Sequence, residues 1–254
     1  DRGLIMMLEL GILGLVIPEL IPLQQTEQER ERQHKDVFAH TMRVLQGTPP
    51  VPELRWAALL HDVGKPQTKT FRRGRVRFFG HEERGARIAD RILRRLKIDG
   101  QMTEKVTEIV RLHMRANSYK TDWTDGGVRR FIRDASSNLN ALLALSRADI
   151  TSYQPRRVED GLARAAELQM RCEQLQAKQD IATLDSPLDG HALMELFDRG
   201  QGVWIKPIKQ YLLDLVLDGD LEPSDIERAR DLATEFVESH AEAARQSESH
   251  GTDA

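Results

Sequence analysis

Between Glu53 and Asp62 the chain runs Glu-Leu-Arg-Trp-Ala-Ala-Leu-Leu-His-Asp, with apolar side chains on nearly every side of the helix it predicts. A helix hydrophobic all round cannot lie on a surface and must be enclosed by others. This stretch therefore requires a fold in layers around one central helix. It closes on an adjacent His61-Asp62 pair, and Gly64-Lys65-Pro66 stops it. Composition agrees with helices as the enclosing layers. In 254 residues, 40% are hydrophobic, 30% are charged and only 5% are aromatic, a balance that suits an all-α protein better than a sandwich or barrel.

The periodicity predicts further helices on both sides. Leu4–Val16 reads as a buried helix running into turns at Pro18 and Pro22, and the polar stretch from Gln24 to Gln33 as exposed. Val37, Phe38, Met42 and Leu45 share one face of a helix from Asp36 to Gln46. Helices are expected at about 82–96, 103–115, 124–135 (with Thr124 as N-cap), 139–152 and 158–181. Thr68 to Gly80 differs: alternating residues around Arg73-Gly74 predict a short hairpin. Asp, Ser, Pro and Gly gather at 184–190, where a domain boundary is placed. Shorter helices follow at 191–197, 206–217 and 224–244, then a polar tail. The organisation expected is an N-terminal helix and linker over 1–33, a helical bundle over 34–183 and a smaller helical tail over 184–254.

The net charge of −3 excludes a polycation that binds nucleic acid over its whole surface. Its cations are mostly arginine, which suits bidentate phosphate contacts, although a GC-rich genome produces the same bias. The single cysteine, Cys172, excludes an internal disulfide and a cysteine-based zinc site, making a reducing, cytoplasmic compartment the default. No apolar run reaches membrane-spanning length.

Four of the eight histidines fall at helix ends or on apolar helix faces: His40, His61, His81 and His113. Asp149 joins Asp62 as an acid in an apolar helical setting. Singly, each has an ordinary reading as a hydrogen-bonded core residue, and Asp149 as the ion-pair partner of Arg147 or another arginine. Together they supply the mixture of imidazole and carboxylate that suits a divalent transition metal.

The order His40, His61-Asp62, Asp149 resembles the HD superfamily of metal-dependent phosphohydrolases, and His81 and His113 match its subset with six ligands. The resemblance is closer to the HD region of bacterial tRNA nucleotidyltransferases (CCA-adding enzymes) and their poly(A) polymerase relatives. It runs through His34–Thr41, Ala57–Pro66, Gly80-His81-Glu82, Trp123–Phe131, Arg147-Ala148-Asp149 and Leu188-Asp189-Gly190, to about residue 221. The Gly-Ser motif of that family's nucleotide-adding head does not occur in this sequence, nor does an acidic pair in a strand-like context, so this chain alone is not expected to add nucleotides.

The resemblance implies one or two divalent ions, with nickel, manganese, magnesium, iron and zinc not distinguished. His40, His61, Asp62 and Asp149 would hold one, and His81, His113 and a bridging Asp62 the other. It implies phosphatase or 2′,3′-cyclic phosphodiesterase chemistry on nucleotides or RNA ends, centred on His61, Asp62 and Lys65. Lys65 would touch a phosphate oxygen; its alternative is a solvated loop lysine. Arg72, Arg73, Arg75 and Arg77 of the hairpin, and Arg129, Arg130 and Arg133 of a later helix, would contact RNA or tRNA. Their alternatives are a charged strand edge and a solvated helix face. The other function class is an RNA-holding body and tail whose HD site is vestigial. Protein partners stay open, a homodimer among them.

Overall fold

A computed structural model describes residues 1–26, 36–72, 75–152, 154–178 and 181–249. The architecture is all-α with one small hairpin. In chain order it comprises α1 (Arg2–Glu9), α2 (Leu13–Val16), a 3-10 segment (Pro18–Gln25), α3 (Val37–Gly47), α4 (Pro52–Leu60), α5 (Lys65–Thr68), β1 (Lys69–Arg72) and β2 (Arg75–Phe78). Then follow α6 (His81–Arg95), α7 (Gly100–Asn117), α8 (Asp125–Ala135), α9 (Leu139–Asp149), α10 (Pro155–Lys178), α11 (Gly190–Leu196), α12 (Ile205–Asp218) and α13 (Ile226–Ser249).

The chain packs as two compact units, 1–121 with 134–171, and 122–133 with 172–254. In the first, α4 packs against α3, α7 and α9, which makes it the central helix its sequence demands. Its Leu54, Ala57, Ala58, Leu59 and Leu60 are all buried. Three of the helices in this unit, α3, α6 and α7, start for a local reason. Asp36 caps α3 by accepting the Ala39 N–H at 2.8 Å, and Asp99 caps α7 by accepting the Met102 N–H at 3.1 Å. Gly80 leads into α6 with φ of 71°, a left-handed conformation that glycine adopts without strain. Glu82 and Glu83 in the first turn of α6, and Arg94 and Arg95 in the last, complement its dipole.

One expectation is overturned. The stretch from Leu4 to Val16 is not one buried helix: it breaks at Gly11, where φ is 71°, and α1 contains no buried residue. Its apolar stripe is too interrupted to be enclosed; only Leu13, Ile17, Leu20 and Leu23, beyond the break, enter the core. Arg95 fixes the end of this segment through a bidentate pair with Glu19, at 2.6 and 2.8 Å.

In the second unit, α12 packs against α11 and α13 and ends at Gly219, where φ is 88°. Thr124 caps α8 by accepting the Gly127 N–H at 3.1 Å, as its sequence predicts. No helix among the described residues is long and apolar enough to cross a membrane.

Candidate metal centre

The histidines lie on the buried faces of their helices. His81 opens a stripe that continues through Gly85, Ile88, Ala89 and Ile92 on α6. His113 extends the stripe of Val106, Ile109 and Val110 on α7, while His40 sits among Val37, Thr41 and Val44 on α3. Because the helices converge, these stripes meet at the C-terminal end of α4, where His61 and Asp62 leave the helix.

The turn after Asp62 is pressed against the start of α6. A Cβ on Gly64 would lie 2.1 Å from the His81 carbonyl oxygen and 2.7 Å from the Gly85 nitrogen, so no side chain fits. The glycine of the His-Asp-Val-Gly-Lys stretch is thus required by close backbone approach, and that approach brings His81 to Asp62.

Four imidazoles face one space. His40, His61, Asp62, His81 and His113 are buried, and the Asp149 side chain is 15% exposed. The Oδ2 atom of Asp62 lies 3.2 Å from His61 Nε2 and 3.5 Å from His40 Nε2, while its Oδ1 lies 3.5 Å from His81 Nε2. Asp149 Oδ1 is 2.9 Å from His40 Nε2 and 3.8 Å from His61 Nε2. Two groups have ligand atoms near enough to hold an ion: His40, His61 and Asp62, and Asp62, His81 and His113. Asp62 belongs to both, with one oxygen turned toward each, which is the geometry of a bridging carboxylate.

The opposite ring nitrogens fix the orientation. His61 Nδ1 lies 2.8 Å from the Ala58 carbonyl oxygen, His81 Nδ1 2.7 Å from that of Phe78, and His113 Nδ1 2.6 Å from that of Val110. In each case the carbonyl is three residues back. His40 Nδ1 lies 3.0 Å from Thr151 Oγ1. A neutral imidazole has a single N–H, so three rings that spend it on a carbonyl turn a bare lone pair inward. His81 Nε2 and His113 Nε2 are 3.3 Å apart, two lone pairs face to face. His61 Nε2 is fully buried without a hydrogen bond.

A proton does not resolve the contact between His81 and His113. Burial pushes the His113 imidazole down to about 4, with His61 adding to the effect. Burial likewise lowers His81 against the attraction of Asp62. Burial also opposes charging His61, but Asp62 beside it prevails and raises it. Both carboxyls stay ionised: burial disfavours this, yet His61 and Lys65 hold Asp62 well below the usual range, and the His40 hydrogen bond holds Asp149 low. Converging lone pairs and two carboxylates in a dry site fit a divalent cation, as buried charges must be paired or coordinate a metal.

Lys65 is not a solvated loop lysine. It starts α5, is buried, and its Nζ donates to Asp62 Oδ2 at 2.7 Å beneath the Phe78 ring. Nor is Asp149 paired to an arginine among the described residues: His40 and Asn117 Nδ2 hold its two oxygens. The sequence reading missed Asn117 and Thr151. Asn117 lies four residues after His113 and so shares its helix face, a signal that was available; Thr151 carried none.

The hairpin forms with Arg72 opposite Arg75 and Thr70 opposite Arg77. Arg72 and Arg77 alternate with Phe71 and Phe78, so the strand face that covers Lys65 carries the phenylalanine rather than the arginines. Arg73 lies outside the described residues. In the second unit Arg129 donates to the Leu217 carbonyl at 2.9 Å, and Arg130 forks onto Asp218 at 2.9 and 2.7 Å while reaching Asp214 at 3.1 Å. These two tie α8 to the end of α12. Arg133 is half-buried and borders a cavity with Lys206 and Lys209.

Residues 37–154 match the HD domain family. Relatives include the A-adding tRNA nucleotidyltransferase of Deinococcus radiodurans, 38% identical over 157 residues, or 58% of this chain and 35% of that protein. The CC-adding tRNA nucleotidyltransferase of Thermus thermophilus is 40% identical over 119 residues, 44% of this chain and 27% of that protein. The Multifunctional CCA protein of Cupriavidus metallidurans is 31% identical over 109 residues, 41% and 26%. The similarity thus spans well under two thirds of each relative's length. Over residues 37–154 the chain is thus similar to the HD domain family, and over part of its length to tRNA nucleotidyltransferases.

Proposed function

We propose that the chain is a metal-dependent phosphohydrolase of phosphatase or 2′,3′-cyclic phosphodiesterase type, acting on nucleotides or RNA ends within a tRNA nucleotidyltransferase-like protein. The observation that supports it most is the pair of buried ligand groups sharing Asp62. Bound there, one or two divalent ions would supply Lewis acidity toward phosphate and an acidified water for attack at phosphorus. His40, His61 and Asp149 would hold one ion, His81 and His113 the other, and Asp62 would be shared between them. His61, His81 and His113 hold a lone pair inward because each Nδ1 donates to a backbone carbonyl. Lys65 keeps Asp62 ionised and presents a point charge suited to a phosphate oxygen at the rim of the site. Burial of the ligands strengthens every one of these interactions.

The test is metal analysis of the purified chain, combined with hydrolysis of bis(p-nitrophenyl) phosphate with and without added nickel, manganese or magnesium. Stoichiometric metal and turnover, both lost in His61→Ala and Asp62→Ala, are expected. A metal-free, inactive protein that still binds tRNA would overturn the reading. It would establish the second one, an RNA-holding module with a vestigial site, which the likeness to tRNA nucleotidyltransferases favours. The complete ligand set, held buried at a cost in desolvation, favours the first.

A further inference from the structure

The exposed phenylalanines of this chain fall in one segment. Phe71 is 76% exposed and Phe79 67%, while the other five are buried or half-buried. Both belong to the stretch between Lys65 and His81 that forms the hairpin. From Pro66 to Gly80 this stretch carries five cations and no acid. Lys69 is exposed, and its side chain has no hydrogen bond or ion pair among the described residues. A strand edge protected by charge explains the cations, since charge deters pairing with another sheet. It does not explain Phe71, because exposed apolar surface on the same strand works against that protection.

The hairpin is rooted in the candidate metal centre at both ends. β1 follows Lys65 after the single turn of α5, and Lys65 Nζ donates to Asp62 Oδ2 at 2.7 Å. β2 ends at Phe78, whose carbonyl oxygen lies 2.7 Å from His81 Nδ1. Lys69 pairs with Phe78, and Phe71 with Val76. Cross-strand partners share a face of a sheet, and so do residues two apart along a strand. Lys69, Phe71, Val76 and Phe78 therefore form one face of the hairpin. It is the face whose Phe78 ring covers Lys65, with 5.4 Å from Nζ to the ring centroid. Phe71 stands two residues beyond the Lys69–Phe78 row, roughly 7 Å further along the strand. An exposed aromatic next to an exposed lysine is the combination by which single strands are held: the ring stacks on a base and the cation meets the backbone. Only an unpaired base can offer its face in this way, because a duplex buries base faces in its own stack.

We propose that the β1–β2 hairpin holds a single-stranded RNA segment, with Phe71 stacked on an unpaired base and Lys69 against a neighbouring phosphate. Such a ribbon selects unpaired over paired strands without reading the base, since every base has a face to stack. The choice of RNA as occupant rests on the phosphohydrolase reading of the adjoining metal centre.

Fluorescence anisotropy with the full chain tests this, using a labelled oligouridylate without a terminal phosphate, alone and annealed to oligoadenylate. Loss of one base–aromatic stack in Phe71→Ala should weaken single-strand binding about 5- to 100-fold. Duplex affinity should stay at the parent value, and Phe71→Trp should retain single-strand affinity. Phe71 is largely in solvent, so the alanine variant should keep the parent's thermal midpoint. Lys69→Gln should reduce the slope of log affinity against log salt by about 0.7 for the single strand. No single-strand binding by the parent, an unchanged single-strand affinity in Phe71→Ala, or an equal loss on single strand and duplex would overturn the proposal. So would a Phe71→Ala variant altered only in its self-association, which would assign this face to a second copy of the chain. Phe71-dependent single-strand binding by a chain that hydrolyses nothing would sink the phosphohydrolase reading alone. Hydrolysis by a chain whose RNA binding ignores Phe71 would sink the hairpin proposal alone.

Discussion

Replacing Gly64 by alanine probes the contact that seats His81 against Asp62. The new Cβ would meet the His81 carbonyl oxygen at 2.1 Å and the Gly85 nitrogen at 2.7 Å, both backbone atoms that cannot rotate away. An ordinary contact lies above 3.4 Å, so the first turn of α6 must retreat from the α4–α5 turn by more than an ångström. Overpacking of this kind costs roughly 1–3 kcal/mol, and a backbone obstacle on both sides places this case at about 3. For a chain of this size that is a fall of about 6–12 °C in Tm. The functional loss should exceed the loss in stability. Ligand positions have to be held within about 0.5 Å, and displacement of an orienting partner costs roughly 10–100-fold in metal affinity. Differential scanning calorimetry of the metal-free chain gives the first quantity, and manganese titration of the folded protein well below its Tm gives the second. Gly85→Ala at the same junction is the comparison: its Cβ meets nothing closer than 3.4 Å, and both quantities should stay near the parent values. A Gly64→Ala protein with parental Tm and parental manganese affinity would refute the close-approach account of this glycine.

Two further outcomes follow from contacts outside the site. Asp36→Ala removes the cap of α3 and should cost about 1 kcal/mol, read as a lowered urea midpoint with unchanged slope. Arg130→Ala removes the fork onto Asp218 and the reach to Asp214, a partly exposed pair worth about 1 kcal/mol or less. The Arg130 hydrogen bond holds the Asp218 carboxyl below its ordinary value, so the stability it adds is present above about pH 4 and lost as pH falls through the folded value. Urea melts between about pH 5 and pH 2 should therefore fall less steeply in the variant. An unchanged slope would deny Arg130 that role.

What could be read in the sequence and what could not divide along a physical line. The enclosed α4, the cap at Thr124 and the hairpin at Lys69–Phe78 all follow from patterns within a few residues, and they are present. The six candidate ligands were legible because imidazoles on apolar stripes are conspicuous, and a family order tied them together. Contacts across long separations were not. Nothing local signals that Thr151 reaches His40, that Lys65 is buried on Asp62, or that Arg130 is committed to Asp214 and Asp218 84 and 88 residues away. The exposed α1 shows the reverse error: an apolar stretch with two glycines looked like core, but hydrophobicity alone does not say which helix finds a partner.

The three carbonyl tethers at Ala58, Phe78 and Val110 have a kinetic consequence. Each of these three rings is held by its own turn of backbone, so its orientation does not depend on an ion or on a neighbouring ligand. The ordering of the site is completed when the helices pack. An ion binding there would then need no local unfolding to enter or leave. The identity of an ion held by such a site would follow the supply around it.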